Sequence, residues 1–179
     1  SGPTLNPTGS NTAAMSKRLS ILRHAKSDWS ASDTHDHARI LTQRGSDNAA
    51  KLGLLMQEQR ILPDQIISSD AARAAETATL VGKGLNYAGK IELSSKLYLA
   101  SPETLLNATI ACHESIKHLM LVAHNPGMTE FVNQLSKITL DNLPTCGIFC
   151  IDFEIAAWSK ISSTLPGQVH WYHYPKLKR

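Results

Sequence analysis

No stretch of this 179-residue chain approaches the roughly 18 consecutive apolar residues that a membrane-spanning helix requires, so no membrane partner is expected. Cysteine is scarce. Cys112, Cys146 and Cys150 form no CxxC pair and sit among apolar neighbours, which argues against a disulfide framework and predicts reduced, buried thiols in a reducing compartment, the cytoplasm. A cysteine nucleophile is not expected either, because Cys146 and Cys150 lie in TCGIFCID, a strand-like run without a phosphate-loop pattern. Charge is thin: 18% of residues carry it, the formal net is +3, and no aromatic-interleaved basic stripe appears. That balance argues against a nucleic-acid partner and leaves an anionic small group open. Metal-ligand spacing is also missing, since His35, Asp36 and His37 are consecutive and helical His-x-x-x-His spacing is absent. Residues 1–14 contain no charged side chain and little to bury, so they are read as a disordered tail or leader ahead of one domain at 15–179.

What the chain does have is an alternation of short apolar runs and amphipathic stretches. Leu19–Leu22 reads as a buried strand that delivers Arg23 and His24 side by side into a polar loop. From 43 to 59, Ala49, Leu52, Leu55 and Met56 recur at helical spacing behind Thr42 as N-cap. A strand over 65–68 leads into SSDAARAAETATLVGKGL, a helix capped by Ser69 or Asp70 with Arg73 in its first turn. A third strand is read at 90–94, and Ser101 with Pro102 and Glu103 behind it opens another helix. The run 118–123, HLMLVA, is the most strand-like and leads into His124-Asn125-Pro126-Gly127 and a helix to about Leu135, with Asn125 as a cap. The last third, from GIFCIDFEI through AAWSKI to QVHWYHY, reads as two or three strands. This order predicts an α/β fold: a single domain with a central, mostly parallel sheet, helices on both faces, and strand C-termini sharing one rim.

That rim is where chemistry is expected. A neutral imidazole can attack phosphorus while a neighbouring guanidinium fork holds the anion, which is what His24 beside Arg23 offers. Arg73 in the first turn of a helix opposes the helix dipole, a position that a bound anion would explain. His124 occupies the same kind of strand-to-helix junction.

The blocks LRHAKSDW, ARILTQRG, SSDAARAAETA and LVAHNPGMTEFV, in that order over roughly residues 18–175, resemble the four blocks of the histidine phosphatase superfamily, branch 1. The short chain and the block ARILTQRG are most similar to its SixA-type phosphohistidine phosphatases. The resemblance implies a phosphoglycerate-mutase-like fold, and His24 as a nucleophile that is transiently phosphorylated. Arg23, Arg73 and His124 complete the phosphate pocket, and Arg39 and Asn125 contact the substrate. It implies hydrolysis of phosphohistidine on a partner protein with no metal or other cofactor. The alternatives are a small-molecule phosphomonoesterase of the same superfamily, or a phosphate-binding interaction protein without turnover. Many members use a carboxylate as general acid; Glu103 and Asp28 are the candidates here, neither in a clear block. Three positions depart from the family's usual residues: Ala25 for Gly, Asp70 for Pro, and Glu76 for Gln.

Overall fold

Strand β1, Lys17–Arg23, runs through the middle of a six-stranded sheet because nearly every one of its side chains is buried. The computed structural model describes residues 15–31 and 34–176, so the tail expected at 1–14 lies outside the described residues. The other strands are β2 (Gln65–Ser69), β3 (Glu92–Ser94), β4 (His118–Ala123), β5 (Ile148–Phe153) and β6 (Gln168–His173), in the order β3-β2-β4-β1-β5-β6. The first four are mutually parallel, whereas β5 and β6 run antiparallel to their neighbours. Four helices connect them: α1 (Gln43–Glu58), α2 (Ala72–Leu85), α3 (Pro102–Ile110) and α4 (Gly127–Ser136).

Alternation along the strands feeds two cores. Leu19 and Ile21 of β1, with Leu119 and Leu121 of β4, pack beneath Leu105 of α3 and Met128 and Phe131 of α4. Leu22 of β1, with Met120 and Val122 of β4, packs beneath Met56 of α1 and Ala74, Ala78 and Val81 of α2. A strand covered on both faces needs apolar side chains on both, which is why HLMLVA is buried throughout.

Local signals set the helix starts. Thr42 caps α1 by accepting from the Gly45 N–H at 2.9 Å, and Ser101 caps α3 by accepting from the Thr104 N–H at 3.3 Å. Two glycines act through close approach. A Cβ on Gly45 would lie 2.1 Å from the Lys26 carbonyl oxygen, and one on Gly127 would lie 1.9 Å from that of Ala100. Gly45 thereby lets α1 press against the loop that follows β1.

The structure corrects three local expectations. Helix α2 takes Ala71 as N-cap with no side-chain cap; Ser69 turns toward His124, and Asp70 pairs instead with His37 at 2.8 Å. At α4 the N-cap is Pro126, yet Asn125 still accepts from the Thr129 N–H at 3.1 Å, one step before the expected register. The stretch AAWSKI is a short 3-10 helix, Trp158–Lys160, rather than a strand, because Trp158 buries its ring and donates to the Ile116 carbonyl at 2.8 Å.

Candidate active site

The C-terminal ends of β1, β2 and β4 converge on a cleft of about 530 Å³ lined by Arg23, His24, Arg39, Arg73, His124 and Asn125, among others. β1 supplies Arg23 and His24, β4 supplies His124, and the first turn of α2 supplies Arg73. Arg39 follows a short 3-10 helix, Asp36–Ala38, that folds over the rim. The backbone around His24 is pinned on three sides. Its N–H donates to the Ala123 carbonyl at 3.1 Å, and the Ala25 N–H donates to Thr77 Oγ1 at 3.0 Å. The Cys146 N–H reaches the carbonyls of both Arg23 and His24, at 3.1 and 3.0 Å. Ala25, where the family's usual residue is Gly, is fully buried against the second core, and its methyl is accommodated there.

His24 is 6% exposed, and its Nδ1 lies 2.7 Å from the Ala25 carbonyl. A carbonyl can only accept, so Nδ1 carries the proton and Nε2 keeps its lone pair. Burial, reinforced by His124, Arg73 and Arg23, pushes the His24 pKa down to about 3. The ring is therefore neutral at ordinary pH, with a nucleophilic nitrogen facing Arg73, whose Nε–H approaches it at 3.4 Å. His124, its ring centroid 5.2 Å away, is likewise pushed down to about 4 by burial and by Arg73. Ser69 Oγ accepts from the Ala71 N–H at 3.2 Å and lies 2.8 Å from His124 Nε2, placed to give that nitrogen its own proton. His124 then holds its remaining proton on Nδ1.

The guanidinium groups are held by side chains that the sequence did not single out. Arg73 donates to the Asp36 carbonyl at 2.6 Å and to its Oδ2 at 3.0 Å, while Arg39 donates to Oδ1 at 3.1 Å. Asp36 thus bridges two cations, and the Tyr98 hydroxyl also donates to it. The Tyr98 hydroxyl, then Arg39 and Arg73, hold the Asp36 carboxyl well below the usual carboxylate range. Arg39 also donates to Ser27 Oγ and stacks on the Trp29 ring, 3.5 Å from its centroid. Arg23 donates to the Leu143 carbonyl at 2.9 Å.

Not every predicted residue faces the cleft with free groups. Asn125 lines it, but its amide donates to Asn142 and Leu143 and its oxygen accepts from Thr129, so it braces the wall. Glu103 sits exposed in the first turn of α3, and Asp28 accepts from the Ser30 N–H; neither lines the cleft. Asp36 was legible only as the middle of a His-Asp-His triplet, and Ser69 only as a possible cap. Among the described residues, no group of three or more His, Cys, Asp or Glu side chains converges to hold a metal ion.

Three of the four buried side-chain polar atoms left without a partner among the described residues belong to this cleft: Arg23 Nε, Arg39 Nε and His124 Nδ1. Buried donors without acceptors are costly, and here their residues line one cleft with an unprotonated imidazole nitrogen, a setting suited to an anion. A mostly parallel sheet with such a cleft at its strand ends is suited to holding a phosphoryl group beside a histidine. The family model of the histidine phosphatase superfamily, branch 1, matches residues 19–98 of the chain and so takes in His24, Arg39 and Arg73. That match supports a phosphatase-type hydrolase. A chloroplastic Arabidopsis thaliana protein of uncharacterised function is 29% identical over 171 residues, covering 90% of this chain and 78% of that one. The structure of a SixA protein from Agrobacterium tumefaciens is similar at 28% identity and TM-score 0.76, covering 89% of this chain and 98% of its own. The protein histidine phosphatase SixA solved with tungstate shares the fold at 20% identity and TM-score 0.69, covering 87% and 95%. No helix of the described residues is long and apolar enough to cross a membrane.

Proposed function

We propose that the protein hydrolyses phosphohistidine on a partner protein through a phosphorylated His24, without a metal ion. The observation that carries the proposal is a cleft in which His24 Nε2 keeps its lone pair beside Arg73 Nε, while Arg23 Nε, Arg39 Nε and His124 Nδ1 of the residues that line it have no partner among the described residues. That lone pair attacks phosphorus, and the bond from phosphorus to the substrate's ring nitrogen breaks. A substrate ring already protonated on its other nitrogen leaves as neutral imidazole, so the step needs no strong acid; this fits the placement of Glu103 and Asp28 away from the cleft. Water then attacks the phosphoryl group on Nε2, inorganic phosphate leaves, and His24 recovers its lone pair. Charge growing on the equatorial oxygens is met by Arg23, Arg39, Arg73 and the Nδ1–H of His124. The SixA name of the Agrobacterium tumefaciens neighbour, at 28% identity, supports the choice of phosphohistidine. The buried free thiols of Cys146 and Cys150 suit a reducing compartment, and we place the protein in the cytoplasm.

The test is a substrate panel: a phosphohistidine-bearing phosphotransfer domain, an aryl phosphate and sugar phosphates, each with wild type, His24→Ala and added chelator. Turnover of the phosphohistidine domain should lead the panel, vanish in His24→Ala and ignore the chelator. Activity retained by His24→Ala, or lost to the chelator, overturns the mechanism; a preference for sugar phosphates overturns the substrate.

A further inference from the structure

Five described residues other than glycine hold a positive φ, and four of them have an evident reason. Arg60, Asn86 and Lys137 terminate α1, α2 and α4, where left-handed residues commonly satisfy the last carbonyls. Cys146 adopts φ 58° and in doing so aims its N–H at the carbonyls of Arg23 and His24. Leu99 is the fifth. It holds φ 48° in the turn after the short 3-10 helix Ser95–Leu97, where Gly or Asn would serve the turn as well, and it presents a side chain that is 58% exposed on the wall of the catalytic cleft.

Glycine or asparagine would adopt that backbone at far less cost, and a polar side chain would suit the exposure better. A leucine there is disfavoured twice over. Trp29 lines the same cleft, is 76% exposed, and is fixed by its stack on Arg39. The cleft therefore combines a cationic floor of Arg23, Arg39 and Arg73 with two large apolar side chains left in water. Strained or exposed features that cluster at a site are kept where the site uses them.

We infer that Leu99 and Trp29 form an apolar rim that grips aliphatic or aromatic side chains flanking the phosphohistidine on the surface of a protein substrate. The inference rests on the phosphohistidine reading above and adds what selects the partner. The floor is complementary to the phosphoryl group, and the rim is complementary to the apolar neighbours a folded protein carries beside it. A sugar phosphate would bring hydroxyl groups against Leu99 and gain nothing from its aliphatic side chain. Leu99 is a specificity residue, because it touches the part of the substrate that does not react.

The experiment compares kcat/KM of the full chain on a phosphohistidine-bearing phosphotransfer domain with that on free phosphohistidine. Leu99→Asn keeps a residue that tolerates the left-handed backbone and removes the apolar surface; Leu99→Met restores that surface. For Leu99→Asn, the protein-to-amino-acid ratio should fall about tenfold, equivalent to about 1.4 kcal/mol, through KM on the protein and with no loss of thermal stability. Leu99→Met should recover most of the ratio. A ratio unchanged in Leu99→Asn, or an equal fall on both substrates, overturns the rim while leaving the phosphohistidine reading intact. A wild type inert on both substrates overturns that reading itself. If wild type self-associates and Leu99→Asn is monomeric, a second copy of the chain covers the rim, and the protein-substrate assignment fails.

Discussion

Acid titration of His24 is the most direct trial of the site, because the mechanism needs its Nε2 unprotonated before substrate arrives. Burial is the largest cause of the downward shift to about 3, and the charges of His124, Arg73 and Arg23 add to it. Against an ordinary value of 6.5 the displacement is worth about 5 kcal/mol between the two protonation states. At pH 5.5 an imidazole of ordinary pKa is about 90% protonated, whereas His24 should be protonated in about 1% of molecules or fewer. Imidazole C–H resonances followed by NMR from about pH 8 to pH 5 read this without a substrate. The His24 resonance should stay flat across that range in the ligand-free protein. Saturating inorganic phosphate should then raise its pKa, because a dianion beside the ring favours the protonated form and offsets the arginines. An inflection near pH 6.5 in the ligand-free protein would refute the reasoning, since the nucleophile would then be mostly charged in mild acid and burial would not control it.

His118 is buried at the other end of the sheet, bonded to Ser20 at 2.6 Å, and burial pushes it down to about 4. Its folded pKa lies below the unfolded value, so the unfolded chain takes up the proton first. The stability it supports is full above about pH 6.5 and falls by about 3 kcal/mol as pH drops through 4, which urea midpoints across that window will measure. Asp36→Asn removes the anion that Arg39 and Arg73 share. Because Asp36 is 42% exposed, the stability cost should stay under about 1 kcal/mol, while kcat drops and inorganic phosphate inhibits more tightly; weaker inhibition would remove Asp36 from the anion site. Gly45→Ala places a methyl 2.1 Å from the Lys26 carbonyl oxygen and should lower stability by about 1–3 kcal/mol. An unchanged thermal midpoint would show that α1 does not press on the His24 loop.

The parts of the fold that were readable from the sequence are those whose determinants are local. The period of HLMLVA, the Thr42 and Ser101 caps, and Pro102 at the start of α3 each act within a few residues, and the elements appear where they predict. The antiparallel course of β5 and β6 was not readable, because pairing direction depends on contacts between distant segments. The same division runs through the site. His24, Arg23, Arg73 and His124 stand at strand-to-helix junctions that periodicity locates, and the structure brings all four to one cleft. Asp36 and Tyr98 are 62 residues apart, and nothing local to either announces that they meet. Asp70 shows the limit from the other side. It departs from the family's usual proline, and only the fold reveals that its carboxylate holds His37, whose ring stacks on Tyr98 at 4.9 Å.

That outer chain of contacts bears on how the cationic cleft is held together. Arg23, Arg39 and Arg73 line one cleft and repel one another, and the two buried histidines beside them stay neutral rather than add to that charge. Asp36 supplies the compensating charge, and it is kept in place by Tyr98 as well as by the two guanidiniums it serves. The compensation is partial by construction. It occupies the Nη groups of Arg39 and Arg73 and leaves Arg23 Nε, Arg39 Nε and His124 Nδ1 without acceptors. Each buried donor left unpaired costs about 1–3 kcal/mol, and a phosphoryl group on His24 can satisfy them without displacing Asp36. The folded protein therefore carries a penalty that binding removes. A substitution supplying an internal acceptor to those three atoms should stabilise the fold and weaken phosphate binding together.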